Sequence, residues 1–187
     1  MRATREQVRL PIFAMIRPRG GNFVYCDAEF DSMRNDIAAA KRHGMNGMVL
    51  GILKQDRRVD VERTRELAEL ARPLAVTFHR AFDESADLHE SLEDVIKTGA
   101  ARILTSGGVP TAPEGLARLA KLVATAGRRI IIVPGSGLNA SNILRVARET
   151  KAREFHCGLS SVRSQTETDG VPFEAEVRRL ASELARV

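Results

Sequence analysis

The sequence predicts an α/β fold, a TIM-type (β/α)8 barrel present here as about six βα units with the N-terminal βαβ missing. Three observations predict it. Short apolar runs rich in β-branched residues alternate with amphipathic stretches, at a period of about 25 to 30 residues, the size of one βα unit. The apolar runs are continuous, as in parallel strands covered by helices. Polar and glycine residues follow nearly every run. A barrel carries its ligand contacts there, whereas an open sheet gathers them at one switch point. No G-x-G-x-x-G opens a helix after a strand, so the dinucleotide-binding alternative lacks its fingerprint.

The elements follow in order. Pro11-Ile12-Phe13-Ala14-Met15-Ile16 is the first strand, with a helix near 29–43 closed by Gly44. Gly47-Met48-Val49-Leu50-Gly51-Ile52 is the second, with a helix near 60–72 that Asp60 caps. Leu74 to His79 is the third, with a helix near 89–98 ending at Gly99. Arg102 to Thr105 is the fourth, and Pro113 suits the first turn of a helix near 113–126 that ends at Gly127. Arg129 to Val133 is the fifth, with Asn139 as cap of a helix near 139–149. Glu154 to Cys157 is the sixth, with a helix near 173–186.

A barrel of this kind needs eight strands and about 250 residues, and this chain has 187. Thr4-Arg5-Glu6-Gln7-Val8 reads as the tail of a helix running into a strand, which places the missing βαβ at the front. No linker or composition shift divides residues 1–187, so one domain is expected. No apolar run reaches eighteen residues, and MRATREQVRL has no apolar stretch behind its basic start, so neither a membrane span nor a secretory leader is expected. Cys26 and Cys157 lie far apart, in no CxxC or zinc spacing, and read as free cytoplasmic thiols. The net charge of +5 comes from arginines interleaved with acids on helices. With 4% aromatics and no Trp, nucleic acid is not an expected partner.

The candidate site residues sit at strand ends. Arg17-Pro18-Arg19-Gly20-Gly21 closes the first strand. Arg17 and Arg19, two apart, offer guanidinium forks to an anion, and Gly20 lets the backbone approach a ligand. Phe78-His79-Arg80-Ala81-Phe82-Asp83 closes the third. His79 is a candidate general acid or base, with Asp83 either orienting it or pairing with Arg80. Ser106-Gly107, Gly135-Ser136-Gly137 and the loop from His156 to Ser161 are glycine loops, whose N–H groups suit an anion such as phosphate. Cys157 is the only candidate metal thiolate near a strand end.

Four of these stretches together resemble the CutC copper-homeostasis family: Met15 to Phe23 with its RPRGG, Val76 to Asp83 with its FHRAFD, Arg102 to Gly107, and Ile132 to Asn139. Glu154-Phe155-His156 is a fifth, weaker match. The resemblance implies a (β/α)8-type barrel, a cytoplasmic protein, a copper-handling role and a homo-oligomer. It also implies a further strand, helix and strand ahead of this chain, which carry the cysteines proposed as the family's copper ligands. Three readings stand side by side: a copper-handling protein, an enzyme acting on a small anionic substrate such as a phosphorylated one, and a non-functional truncated barrel whose open edges aggregate or pair with another subunit.

Overall fold

Helix and strand alternate along the chain as the apolar spacing requires. In the computed structural model, which describes residues 1–158 and 172–186, the elements are α1 (Arg2–Gln7), β1 (Phe13–Met15), α2 (Asp27–Arg42), β2 (Gly47–Leu50), α3 (Val61–Ala71) and β3 (Ala75–Phe78). A 3-10 helix (Arg80–Glu84) follows, then α4 (Leu88–Lys97), β4 (Arg102–Thr105), α5 (Leu116–Ala126), β5 (Ile131–Pro134), α6 (Ile143–Thr150) and α7 (Phe173–Leu184). The strands lie side by side in chain order, β1-β2-β3-β4-β5, the topology of a barrel wall. β1 to β4 pair in parallel. The chain divides into two compact units, Met1–Ile103 and Leu104–Val187.

In the first unit the strand register separates two faces. Ala14, Met48 and Val76 share one row, as do Met15, Val49, Thr77 and Arg102. Ala14, Ile16, Met48, Leu50, Val76, Phe78 and Ile103 are buried, as are Phe30, Met33 and Ile37 of α2 and Leu67 and Ala71 of α3. Each of these side chains larger than alanine contributes about 1.5–3 kcal/mol by leaving water. On the other face Phe13 and Met15 stay 38% and 56% exposed. β1 is an edge strand, with no second neighbour among the described residues.

The second unit packs α5 against β5 and α6, and α6 against α7. Ala140, Ile143 and Leu180 form a small core on which Phe155, Cys157 and Leu184 rest. The buried Glu176 ties this core to the chain, since Ala140 N–H donates to its Oε1 at 3.2 Å.

Helix ends follow local chemistry. Gly44, Gly99 and Gly127 take positive φ at the ends of their helices, and Asp60 accepts from Arg63 N–H as the cap of α3. Three expectations need correction. Asn139 does not cap α6: its Oδ1 accepts from Ser141 N–H in a preceding turn, and the helix begins after Asn142. Pro113 likewise lies in a turn ahead of α5, which starts at Leu116. The run Glu154–Cys157 makes one parallel bridge, His156 to Gly135, rather than a strand. His156 N–H donates to Pro134 O at 2.9 Å, while Phe155 and Cys157 turn to the α6–α7 core, so no second pairing forms.

Candidate functional site

The site in the first unit is built on the loop that leaves β1. Arg19 organises that loop and is consumed by it. Its Nε donates to Glu29 Oε1 at 2.5 Å, and its other nitrogens donate to Gly20 O, Asn22 O, Asn22 Oδ1 and Val24 O at 2.7–3.1 Å. Glu29 also accepts from Cys26 N–H, and these hydrogen bonds hold its carboxyl below the usual range. Gly20 has open space where a Cβ would stand.

Arg17 is placed differently. It donates to Gly21 O at 2.7 Å, and its guanidinium carbon lies 4.5 Å from the centroid of the Phe23 ring. Its Nε is buried with no hydrogen-bond partner among the described residues. Phe23 is fixed through its carbonyl, which accepts from Leu53 N–H at 2.9 Å. The Phe23 ring also packs on His79, with centroids 4.8 Å apart and an interplanar angle of 52°.

His79 stands one residue past β3 and is 4% exposed. Its backbone N–H donates to Leu50 O, which sets the ring beside Gly51. A Cβ on Gly51 would lie 2.7 Å from Nδ1, so only glycine leaves room for the imidazole. Nδ1 accepts from Ala81 N–H at 3.2 Å and caps the 3-10 helix. Burial, and then the Arg17 charge, push the His79 pKa down to about 4, so the ring is neutral at physiological pH. A neutral ring whose Nδ1 accepts carries its proton on Nε2. Nε2 is buried and has no partner among the described residues.

Tyr25 completes the group. Its carbonyl accepts from Arg63 at 2.8 Å, and its buried hydroxyl makes no close hydrogen bond among the described residues. Burial raises its pKa, and Arg17 opposes the rise through side-chain hydrogen bonding and through its charge. Asp83 pairs with Arg80, whose Nε donates to Oδ2 at 2.8 Å; of the two roles open to Asp83, the structure records this one.

In the second unit the glycine loops hold one another. Gly107 N–H donates to Thr105 Oγ1 at 2.9 Å, and Ser106 Oγ donates to Val109 O. Gly107 takes φ +81, and a Cβ there would meet Gly115 O at 3.2 Å. Ser136 Oγ donates to Pro110 O at 2.9 Å. A Cβ on Gly135 would strike Leu104, and one on Gly137 would strike Thr111. Cys157 lies against the apolar core, and burial raises its thiol pKa, the opposite of what a metal thiolate needs. Ser160 and Ser161 lie outside the described residues.

Among the described residues no three His, Cys, Asp or Glu side chains come together as a metal-binding group. Cys26 is exposed, and His79 offers copper no free lone pair, because Nδ1 is engaged and Nε2 bears the proton. The described donors therefore do not fit a copper ion. Phe23, Tyr25 and Gly51 also line this site, and the alternation of aromatics in Asn22-Phe23-Val24-Tyr25, shortly after two arginines, is the signal the sequence carries for the first two.

The CutC family model matches residues 1–161. A family protein CutC from Chromobacterium violaceum is 47% identical over 152 residues, covering 81% of this chain and 62% of its own length. The human copper homeostasis protein cutC homolog is 42% identical over 163 residues, covering 87% and 60%. The crystal structure of a CutC from Streptococcus agalactiae superposes with a TM-score of 0.77 at 33% identity, covering 83% of this chain and 76% of that one. The chain thus spans about three fifths of the length of these two curated relatives.

Proposed function

The chain belongs to the CutC family, and on that premise we propose that it serves copper homeostasis in the cytoplasm, as a homo-oligomer, through a site that takes a small oxyanion and not the copper ion itself. One observation carries this reading: the Arg17 guanidinium lies over Phe23 with a buried Nε that has no hydrogen-bond partner among the described residues, beside a neutral His79. A buried donor without a partner is costly, by about 1–3 kcal/mol, and an oxyanion relieves that cost.

Each predicted residue has a place in the proposal. Arg17 binds the anion, and Arg19 with Gly20 shapes the loop that presents it. His79 is too weakly basic to take up a proton at neutral pH and acts as a hydrogen-bond donor, while Arg80 and Asp83 brace the segment behind it. Ser106, Gly107, Gly135, Ser136 and Gly137 are proposed as anion contacts in their own unit. No described helix is long and apolar enough to cross a membrane.

Copper held directly by this chain is the second reading, favoured by the relatives' names. Calorimetry of acetate, inorganic phosphate and Cu(I) under reducing conditions separates the two. An anion binds the wild type and is lost in Arg17→Gln if the site is as proposed. Stoichiometric Cu(I) binding that Cys157→Ala abolishes, with no anion binding, would establish the second reading instead.

A further inference from the structure

We infer that Tyr25 and His79 act with Arg17 as a set of three hydrogen-bond donors selective for a small monocarboxylate. This rests on the oxyanion reading of Arg17 and names its ligand class and two further binding residues.

Four buried side-chain atoms of the first unit make no close hydrogen bond among the described residues: Arg17 Nε, Tyr25 Oη, His79 Nε2 and Thr64 Oγ1. The first three belong to one neighbourhood. Arg17 and His79 both pack on the Phe23 ring, and the Arg17 side chain reaches the Tyr25 hydroxyl by hydrogen bonding and charge, and the His79 ring by charge. Arg17 continues the row parity of Phe13 and Met15, and His79 that of Ala75 and Thr77, so both extend the same face of the sheet.

Each of the three presents a proton. Arg17 Nε–H can only donate. The Ala81 N–H on Nδ1 fixes the His79 proton on Nε2. The Tyr25 hydroxyl carries its own proton, and the adjacent guanidinium makes it a stronger donor. Such a set suits an acceptor-only ligand, and a carboxylate has two oxygens with about four lone-pair sites.

Charge selects among oxyanions. Arg19 is matched by Glu29, Arg63 by Asp27 and Arg80 by Asp83. Among the described residues Arg17 is the cation that acts on both Tyr25 and His79 without a recorded ion pair of its own, and it balances a single negative charge. A phosphate dianion would leave one charge uncompensated in a buried setting. The flat Phe23 wall also suits a planar group, and a guanidinium edge pairs with a carboxylate in plane.

The test uses this chain with acetate and inorganic phosphate as probes, together with imidazole 15N spectra. Acetate should bind more tightly than phosphate. Tyr25→Phe, which keeps the ring, should weaken acetate about tenfold, in line with hydrogen bonds to charged groups. The wild-type spectrum should show the Nε2–H tautomer of His79 from pH 6 to 8, a readout that needs no variant to fold. If neither anion binds, the oxyanion reading fails and the inference with it. If phosphate binds better, or Tyr25→Phe binds acetate as wild type does, or the proton sits on Nδ1, the oxyanion reading survives and this inference is overturned.

Discussion

Replacing Gly51 by alanine probes the site through a residue that touches no ligand. The new methyl would lie 2.7 Å from His79 Nδ1, 2.8 Å from its Cε1 and 3.2 Å from Ala81 Cβ. Ordinary contact begins near 3.4 Å, so the imidazole must retreat by about 0.7 Å. Ala81 cannot follow freely, because the methyl presses on it as well. The 3.2 Å bond from Ala81 N–H to Nδ1 is then stretched or lost. Overpacking of this kind costs about 1–3 kcal/mol, which urea denaturation would read as a lower midpoint at unchanged slope. The variant should also lose the fixed Nε2–H tautomer and bind acetate more weakly. Gly20→Ala is the control, because nothing lies within 4 Å of its Cβ and its φ is not positive. It should be neutral or stabilising by about 0.4–1 kcal/mol. If Gly51→Ala matched wild type in stability and His79 spectrum, the close packing of this strand end against the imidazole would be refuted.

Three further outcomes follow from the same geometry. The folded His79 pKa of about 4 lies below the usual 6.5. The unfolded chain therefore binds the extra proton, and stability present above pH 6.5 is lost as pH falls toward 4. That loss is about 3 kcal/mol, and His79→Gln should flatten this limb of a stability–pH curve. Arg19→Lys should lower stability by about 1–3 kcal/mol, because lysine cannot replace the guanidinium's planar fork; a thermal melt equal to wild type would contradict the role given to Arg19 in the loop. Met48→Ala should cost about 2–5 kcal/mol, whereas Met15→Ala, on the exposed face of the neighbouring strand, should stay within about 0.5 kcal/mol; equal losses would mean that the two faces are misassigned.

The alternation of elements was legible because it rests on local chemistry. The span Arg102–Thr105 is the same in sequence and structure, and Gly44, Gly99 and Gly127 close helices because they tolerate positive φ. Asn139 and Pro113 misled because a turn residue and a helix cap favour the same amino acids, and only the next hydrogen bond separates them. Within the site, the importance of RPRGG and FHRAFD was visible, but the division of labour was not. Arg17 and Arg19 look equivalent in sequence. What separates them is that the acceptors of Arg19 are mostly backbone carbonyls brought round by the loop, and no residue pattern records those. The 3-10 turn sets Arg80 and Asp83 three apart on one side, where they form an ion pair. Gly51 passed as part of an apolar run, because its role is the space it leaves to a side chain 28 positions on.

The central claim, that the site around Arg17 takes a small oxyanion and not copper, is tested most directly by side-chain 15N spectra of one sample titrated with acetate and, in parallel, with Cu(I) under reducing conditions. Acetate should shift the Arg17 Nε–H and the His79 Nε2–H together and saturably, while Cu(I) leaves both in place. Displacement of the His79 ring signals by Cu(I), with the Arg17 signal indifferent to acetate, would contradict it.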